Sequence, residues 1–209
     1  PQDHGNEFLK DARLGIGKRN VIRENVTMQC GTPKGQNPIR GEEPEKLITR
    51  VGDDCMFMVN SHVAHDCVVG NNVIMTNNAV IGGHTRVGDG AILGGNCAVH
   101  QFCRIGRKAM VGGLSGVTRD VIPFGMVTGD RAKLRGLNLI GLKRSGMDPA
   151  TVKAITRAYM YLFKSDEGNF ESRVAAAHEK YKDNPVIMEM VEFIDDALIG
   201  RRNITTAEI

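Results

Sequence analysis

The chain has 209 residues, no tryptophan, 5% aromatics, 25 glycines and a formal net charge of +3. That charge is too weak to argue for nucleic acid as a partner, no apolar run reaches the 18 or so residues of a membrane span, and no signal peptide opens the sequence, so a cytoplasmic protein is expected. The length suits one ordinary domain or a repeat body with a small appendage, and few aromatics with many glycines suit a narrow body filled by aliphatic side chains.

Residues 1–14 are polar and irregular, after which apolar residues recur every six positions at Ile16, Ile22 and Met28. Met28 and Val51 are 23 positions apart, which is not a multiple of six. The Gly-, Pro- and charge-rich segment at about 31–50 therefore leaves the repeat and returns as a surface loop.

From 51 to 122 the period holds without a slip. The first position of each hexad is apolar: Val51, Phe57, Val63, Val69, Met75, Ile81, Val87, Leu93, Val99, Ile105, Val111 and Val117. The fifth is small or β-branched, from Cys55, Ser61 and Cys67 to Ser115 and Val121. A period of six matches neither an amphipathic helix nor an alternating strand; it is the repeat of a parallel β-helix. Three hexads close one coil, and each coil buries its apolar edge against the coils above and below. Four of the five cysteines, Cys55, Cys67, Cys97 and Cys103, fall on the small interior position, which reads as core packing in a reducing compartment rather than a disulfide framework.

Pro123 breaks the pattern, and 123–146 reads as a basic terminal linker. Asp148 as N-cap with Pro149 behind it opens a helix that stops near Lys164. A second helix covers about 171–182. Asn184 and Pro185 repeat the cap signal for a third, whose apolar stripe is Ile187, Val191, Ile194 and Leu198. The expected fold is mainly β, a parallel β-helix over 1–146 with a helical domain over 147–209 packed on its end or side.

One coil is 18 residues, so position 65 stacks under 83 and then under 101. His65, Gly83 with His84, and Gln101 thus line one outer column, about 10 Å long from two strand spacings and suited to a sugar bearing a phosphate. An imidazole beside a carboxylate, His65 followed by Asp66, suits general base work near neutral pH. Ser61 and Cys67 hold interior positions and are poor candidates for a nucleophile. The expected chemistry is direct: His65 takes a proton from a substrate hydroxyl that attacks a bound electrophile, and the Gly83 amide holds the oxyanion. No metal is expected; the alternative is a zinc-dependent enzyme of the carbonic anhydrase type, using converging histidines with His62 among them.

The segments NSHVAHDCVVGNN, IGGHTRVGD, GGNCAVHQFCRIG, MVGGLSGV and GLNLIGLKRSG closely resemble the UDP-N-acetylglucosamine O-acyltransferases that start lipid A biosynthesis. The resemblance implies a homotrimer of left-handed β-helices with C-terminal helices. It implies transfer of an (R)-3-hydroxyacyl chain from acyl carrier protein to the 3-hydroxyl of UDP-N-acetylglucosamine, with no cofactor beyond the carrier's phosphopantetheine. By motif, His65 is the general base, Asp66 its orienting partner and Gly83 the oxyanion donor. His62, His84 and Gln101 contact substrate in a cleft between subunits, Asn138 and Arg144 lie at the nucleotide, and Asp3 contacts the sugar. Met58 and Gly113 line the acyl groove, with Gly113 leaving it open to a longer chain; as a bend residue the same glycine has an equal structural use. The acidic carrier is expected to meet Arg104, Arg107, Lys108, Arg131, Lys133, Arg135, Lys143, Arg144, Lys153 and Arg157.

Two positions depart from the family pattern: Ile140 stands where a Glu is common and Ser145 where a second Arg often follows. The family also carries coils ahead of the PQD segment, so the chain is expected to be N-terminally short, with an open coil edge. A fragment that binds without turnover is the further alternative.

Overall fold

The computed structural model describes residues 11–37, 45–200 and 203–206. Two-residue strands stack in three parallel sheets that form the faces of a prism. The first face holds Ile48–Val51, Val68–Val69, Arg86–Val87 and Arg104–Ile105; the second holds Met56–Phe57, Ile74–Met75, Ile92–Leu93 and Met110–Val111; the third holds His62–Val63, Val80–Ile81, Ala98–Val99 and Gly116–Val117. Arg13–Ile16, Val21–Ile22 and Thr27–Met28 add one coil below. Strand partners in that lowest pair of coils are 35 positions apart, as in Thr27 with His62, because the loop intervenes; above it they are 18 apart, as in His62 with Val80, until the last coil, where Met110 pairs with Met126.

The hexads explain the prism. All twelve first-position side chains are at most 5% exposed, and the fifth-position residues fill the remaining interior. Full burial of each Phe, Leu, Ile or Met contributes roughly 1.5–3 kcal/mol. The chain turns between faces by placing the fourth residue of a hexad in the left-handed region: φ lies between 53° and 66° at Asp54, Asn60, Asp66, Asn72, Asn78, His84, Asn96, Phe102, Lys108 and Leu114. Asp and Asn accept that conformation through local hydrogen bonds of their short polar side chains, whereas a bulky residue there is strained.

Residues 123–146, expected to be a linker, are folded. Gly125–Thr128 extends the second face and pairs antiparallel with Lys133–Leu137. Helix α1, Leu139–Arg144, follows. Helix α2 is Pro149–Lys164, α3 is Phe170–Tyr181 and α4 is Pro185–Ile199, with Asp148, Asn169 and Asn184 each accepting from a first-turn amide.

The helices lie on the side of the prism. Arg104, buried on the first face, donates to Asp120 Oδ2 at 2.8 Å and to the Phe193 carbonyl of α4 at 2.9 Å, with its guanidinium over the Phe193 ring. Arg107 pairs with Glu189. Between α4 and the first face runs a groove of about 810 Å3 lined by Arg86, Arg104, Met188 and Phe193. Residues 203–206 cap the last coil through bonds to Asp120 and Leu134. Among the described residues no helix is long and apolar enough to cross a membrane.

Candidate functional site

The corners at 64–67, 82–85 and 100–103 stack into the edge between the third and first faces, called here the histidine edge. Asp66 takes the left-handed position of its corner, φ 58°, with its carboxylate fully buried beside His65, which keeps 22% side-chain exposure. His65 Nδ1 donates to Asp66 Oδ2 at 2.8 Å, so its Nε2 carries the lone pair. One coil higher, a Cβ on Gly83 would lie 2.6 Å from His65 Cε1 and 2.7 Å from Nε2. Only glycine lets the ring occupy that space.

Above His65 the side chains form a stack. The His84 ring meets His65 edge-on at 5.0 Å and lies parallel to Phe102 at 4.4 Å. His84 is 3% exposed. Its Nδ1 donates to the Gly35 carbonyl at 2.7 Å, and burial pulls its pKa below the ordinary imidazole value, against the opposing effects of that carbonyl and of Asp66. Within one chain His84 is thus a buried wall behind His65.

The loop supplies the rest. A Cβ on Gly31 would overlap the backbone of Ile48, so the two ends of the loop cross in contact. Thr32 donates its amide to Asp66 Oδ1 at 2.7 Å and its hydroxyl to Oδ2 at 2.6 Å. Asn37 donates to the Phe102 carbonyl at 3.0 Å and accepts from Arg86 at 2.6 Å. None of these loop residues stands out in the sequence, because the path of the loop has no period.

Among the described residues, the ligand-type atoms of His65, Asp66 and His84 form the group of three within 4.8 Å that a metal reading requires. The two Nδ1 atoms and the carboxylate are taken up in hydrogen bonds, while among the described residues His65 Nε2 is not. Both Nδ1 atoms are hydrogen-bond donors, to Asp66 and to Gly35, and Asp66 accepts from Thr32 twice. His62, the further histidine of the zinc reading, bonds Thr27 Oγ1 at 2.7 Å instead.

With this geometry in view, residues 120–205 match the family described as Udp N-acetylglucosamine O-acyltransferase, Domain 2, and residues 48–83 match Bacterial transferase hexapeptide (six repeats). The acyl-[acyl-carrier-protein]–UDP-N-acetylglucosamine O-acyltransferase of Agrobacterium fabrum is 44% identical over 88% of this chain and 64% of its own. That of Rhizobium rhizogenes is 46% identical over 91% and 65%. The solved UDP-N-acetylglucosamine O-acyltransferase of Moraxella catarrhalis superimposes with a TM-score of 0.83 at 35% identity, covering all of this chain and 74% of that one.

The chain belongs to the UDP-N-acetylglucosamine O-acyltransferase family. It spans 64–65% of the length of the two curated relatives named.

The positions carried over from the family fall on three edges of the prism. His65, Asp66, Gly83, His84 and the exposed Gln101 share the histidine edge. Met58, partly buried, and Gly113, exposed, lie on the edge between the second and third faces, three coils apart. The left-handed residue of the Gly113 corner is Leu114, φ 57°, so Gly113 is not required by the bend. Asn138 caps α1, accepting from Gly141 and donating to the Lys108 carbonyl on the third edge. Arg144 is exposed in the last turn of α1. Asp3 lies outside the described residues.

One of the ten cations assigned to the carrier is corrected: Arg104 is buried in its ion pair with Asp120, whereas Arg107 is partly exposed beside Glu189. Arg131, Lys143, Arg144, Lys153 and Arg157 are exposed.

Proposed function

We propose that the chain works in an acyltransferase that moves an (R)-3-hydroxyacyl group from acyl carrier protein to the 3-hydroxyl of UDP-N-acetylglucosamine, the first step of lipid A biosynthesis, as a cytoplasmic homotrimer. The observation that carries this is the His65–Asp66 pair, whose free Nε2 is packed against Gly83. His65 Nε2 takes the proton of the sugar hydroxyl as its oxygen attacks the thioester carbonyl. The Gly83 amide, which has no acceptor among the described residues, donates to the oxyanion. The intermediate collapses with departure of the carrier's thiolate, which receives the proton from His65. The phosphopantetheine belongs to the carrier, and the chemistry needs no other cofactor.

Within one chain Met58 and Gly113, the histidine edge and Arg144 lie on different edges of the prism and on α1. Three-fold association supplies the remaining walls by setting one copy's edge against another's face. In that cleft His62, Gln101, Arg144 and Asp3 serve the sugar nucleotide, and Gly113 leaves room for a longer acyl chain. Incubation with UDP-N-acetylglucosamine and hydroxyacyl carrier proteins of graded chain length tests the reading. Acylated sugar nucleotide is expected, with preference for the longer donors; no product from any donor, in a protein shown to be trimeric by light scattering, contradicts it.

A further inference from the structure

The loop bonds to successive coils of the histidine edge: through Thr32 to Asp66, through Gly35 to His84, and through Asn37 to Phe102 and Arg86. Of these links, the one at Thr32 reaches closest to the reacting group. Thr32 is 8% exposed and donates to both oxygens of a carboxylate that has no solvent exposure. Two donors from one residue fix the plane of the Asp66 carboxylate. Oδ2 then accepts from the Thr32 hydroxyl and from His65 Nδ1 together. As the loop re-enters the prism, Thr49 Oγ1 accepts from the Asp66 amide at 2.7 Å, which secures the backbone of the same corner without touching the carboxylate.

We infer that Thr32 is a positioning residue for acyl transfer: its hydroxyl orients Asp66 and, through it, holds His65 in the Nδ1–H tautomer with Nε2 toward Gly83. The kinetic consequence rests on the transfer reading above, while the tautomer does not. A β-branched side chain suits the task, because its restricted χ1 keeps the hydroxyl aimed. A valine at the same place keeps shape and amide but removes the donor. Serine keeps the donor.

The test uses the full chain labelled with 15N-histidine, with His65→Ala to assign the resonance. Long-range 1H–15N spectra are expected to report the Nδ1–H tautomer of His65 in wild type and Thr32→Ser, and a mixture of tautomers in Thr32→Val. In the transfer assay, Thr32→Val lowers kcat by about 10- to 100-fold, the order found for hydrogen-bond partners behind metal-binding histidines, leaves KM for the sugar nucleotide unchanged, and is rescued by Thr32→Ser. Thr49→Val lowers the melting temperature but keeps the tautomer. A Thr32→Val protein with the wild-type tautomer and kcat overturns the inference. If no protein in the series transfers acyl groups while the tautomer still responds to Thr32→Val, the positioning role stands and the transfer reading falls.

Discussion

The corner that turns at Asp66, His84 and Phe102 and the corner that turns at Asn60, Asn78 and Asn96 share one backbone. In both, the turning residues have φ between 56° and 66°, and in both the strands repeat every 18 residues. On the asparagine edge the side chains form a ladder: Asn60 donates to Asn78 and Asn78 to Asn96, each at 3.1 Å. That is the undemanding solution, since Asn accepts the left-handed conformation and its amide bonds to an identical neighbour. On the histidine edge the same positions hold a buried carboxylate, a buried imidazole and a phenyl ring, with a loop laid over them. Bulky residues in that conformation persist only when their surroundings hold them there. The comparison teaches that the repeat dictates where a corner side chain starts, while the loop decides what it does.

After loss of His65 itself, the largest effect that separates the two edges is expected from Gly83→Ala. The backbone at Gly83 is not left-handed, so the fold tolerates the methyl, but the His65 ring must move away from it. Displacing a reacting group by about 1 Å costs on the order of 100-fold in rate. Steady-state transfer rates check this, and an unchanged kcat would remove the packing of His65 against Gly83 from the account.

Next is the asparagine edge itself. Asn78→Ala places a residue with no polar side chain at φ 58° and removes two ladder bonds, which should cost about 1–2 kcal/mol of stability and leave kcat intact, any change in transfer being confined to the KM of the acyl donor, whose groove residues Met58 and Gly113 lie on this edge. Thermal unfolding and the transfer assay, run on the same sample, separate the two outcomes.

A smaller difference appears with pH. Burial lowers the pKa of His84 and of His62 relative to the ordinary imidazole value. The unfolded chain takes up protons near pH 6.5 where these folded histidines do not, so stability falls as pH drops below that value and is insensitive to them above it. Melting temperatures measured between about pH 7.5 and pH 5 should decline toward acid. His84→Asn should flatten that decline, whereas Asn78→Ala should lower the melting temperature equally at every pH.

The smallest change is a gain. Ser61, at the small interior position beside the asparagine edge, is fully buried with its hydroxyl unpaired among the described residues. Ala79, Ala91 and Ala109 fill the same place in other hexads. Ser61→Ala should stabilise by about 1 kcal/mol, read as a rise in melting temperature.

Much of the fold was legible from spacing. The inward residues of all twelve hexads are buried, and the caps at Asp148 and Asn184 place the first residues of α2 and α4, because caps and a six-residue period are local signals. The hairpin of Gly125–Thr128 and Lys133–Leu137 was not legible: its strands are short, interrupted by glycine and charge, and owe their pairing to the second face they extend. Helix α1, six residues long, is too short to show a period.

In the site, counting by 18 brought His65 to Gly83 and His84. It did not reveal that His84 is buried or that Asn138 is a cap, since both depend on packing from outside the repeat. One further signal was available: His84 and Phe102 stand where most corners have Asn, Asp or Gly, and that departure marks the histidine edge.

The most direct test sets one edge against the other in a single assay: transfer of a hydroxyacyl chain from carrier protein to UDP-N-acetylglucosamine by wild type, His65→Ala and Asn78→Ala at a temperature where all three are folded. Loss of general base catalysis is expected to slow His65→Ala by about 100- to 10,000-fold, with Asn78→Ala keeping the wild-type kcat. Full activity in His65→Ala, or an equal loss in both variants, would contradict the assignment of chemistry to the histidine edge.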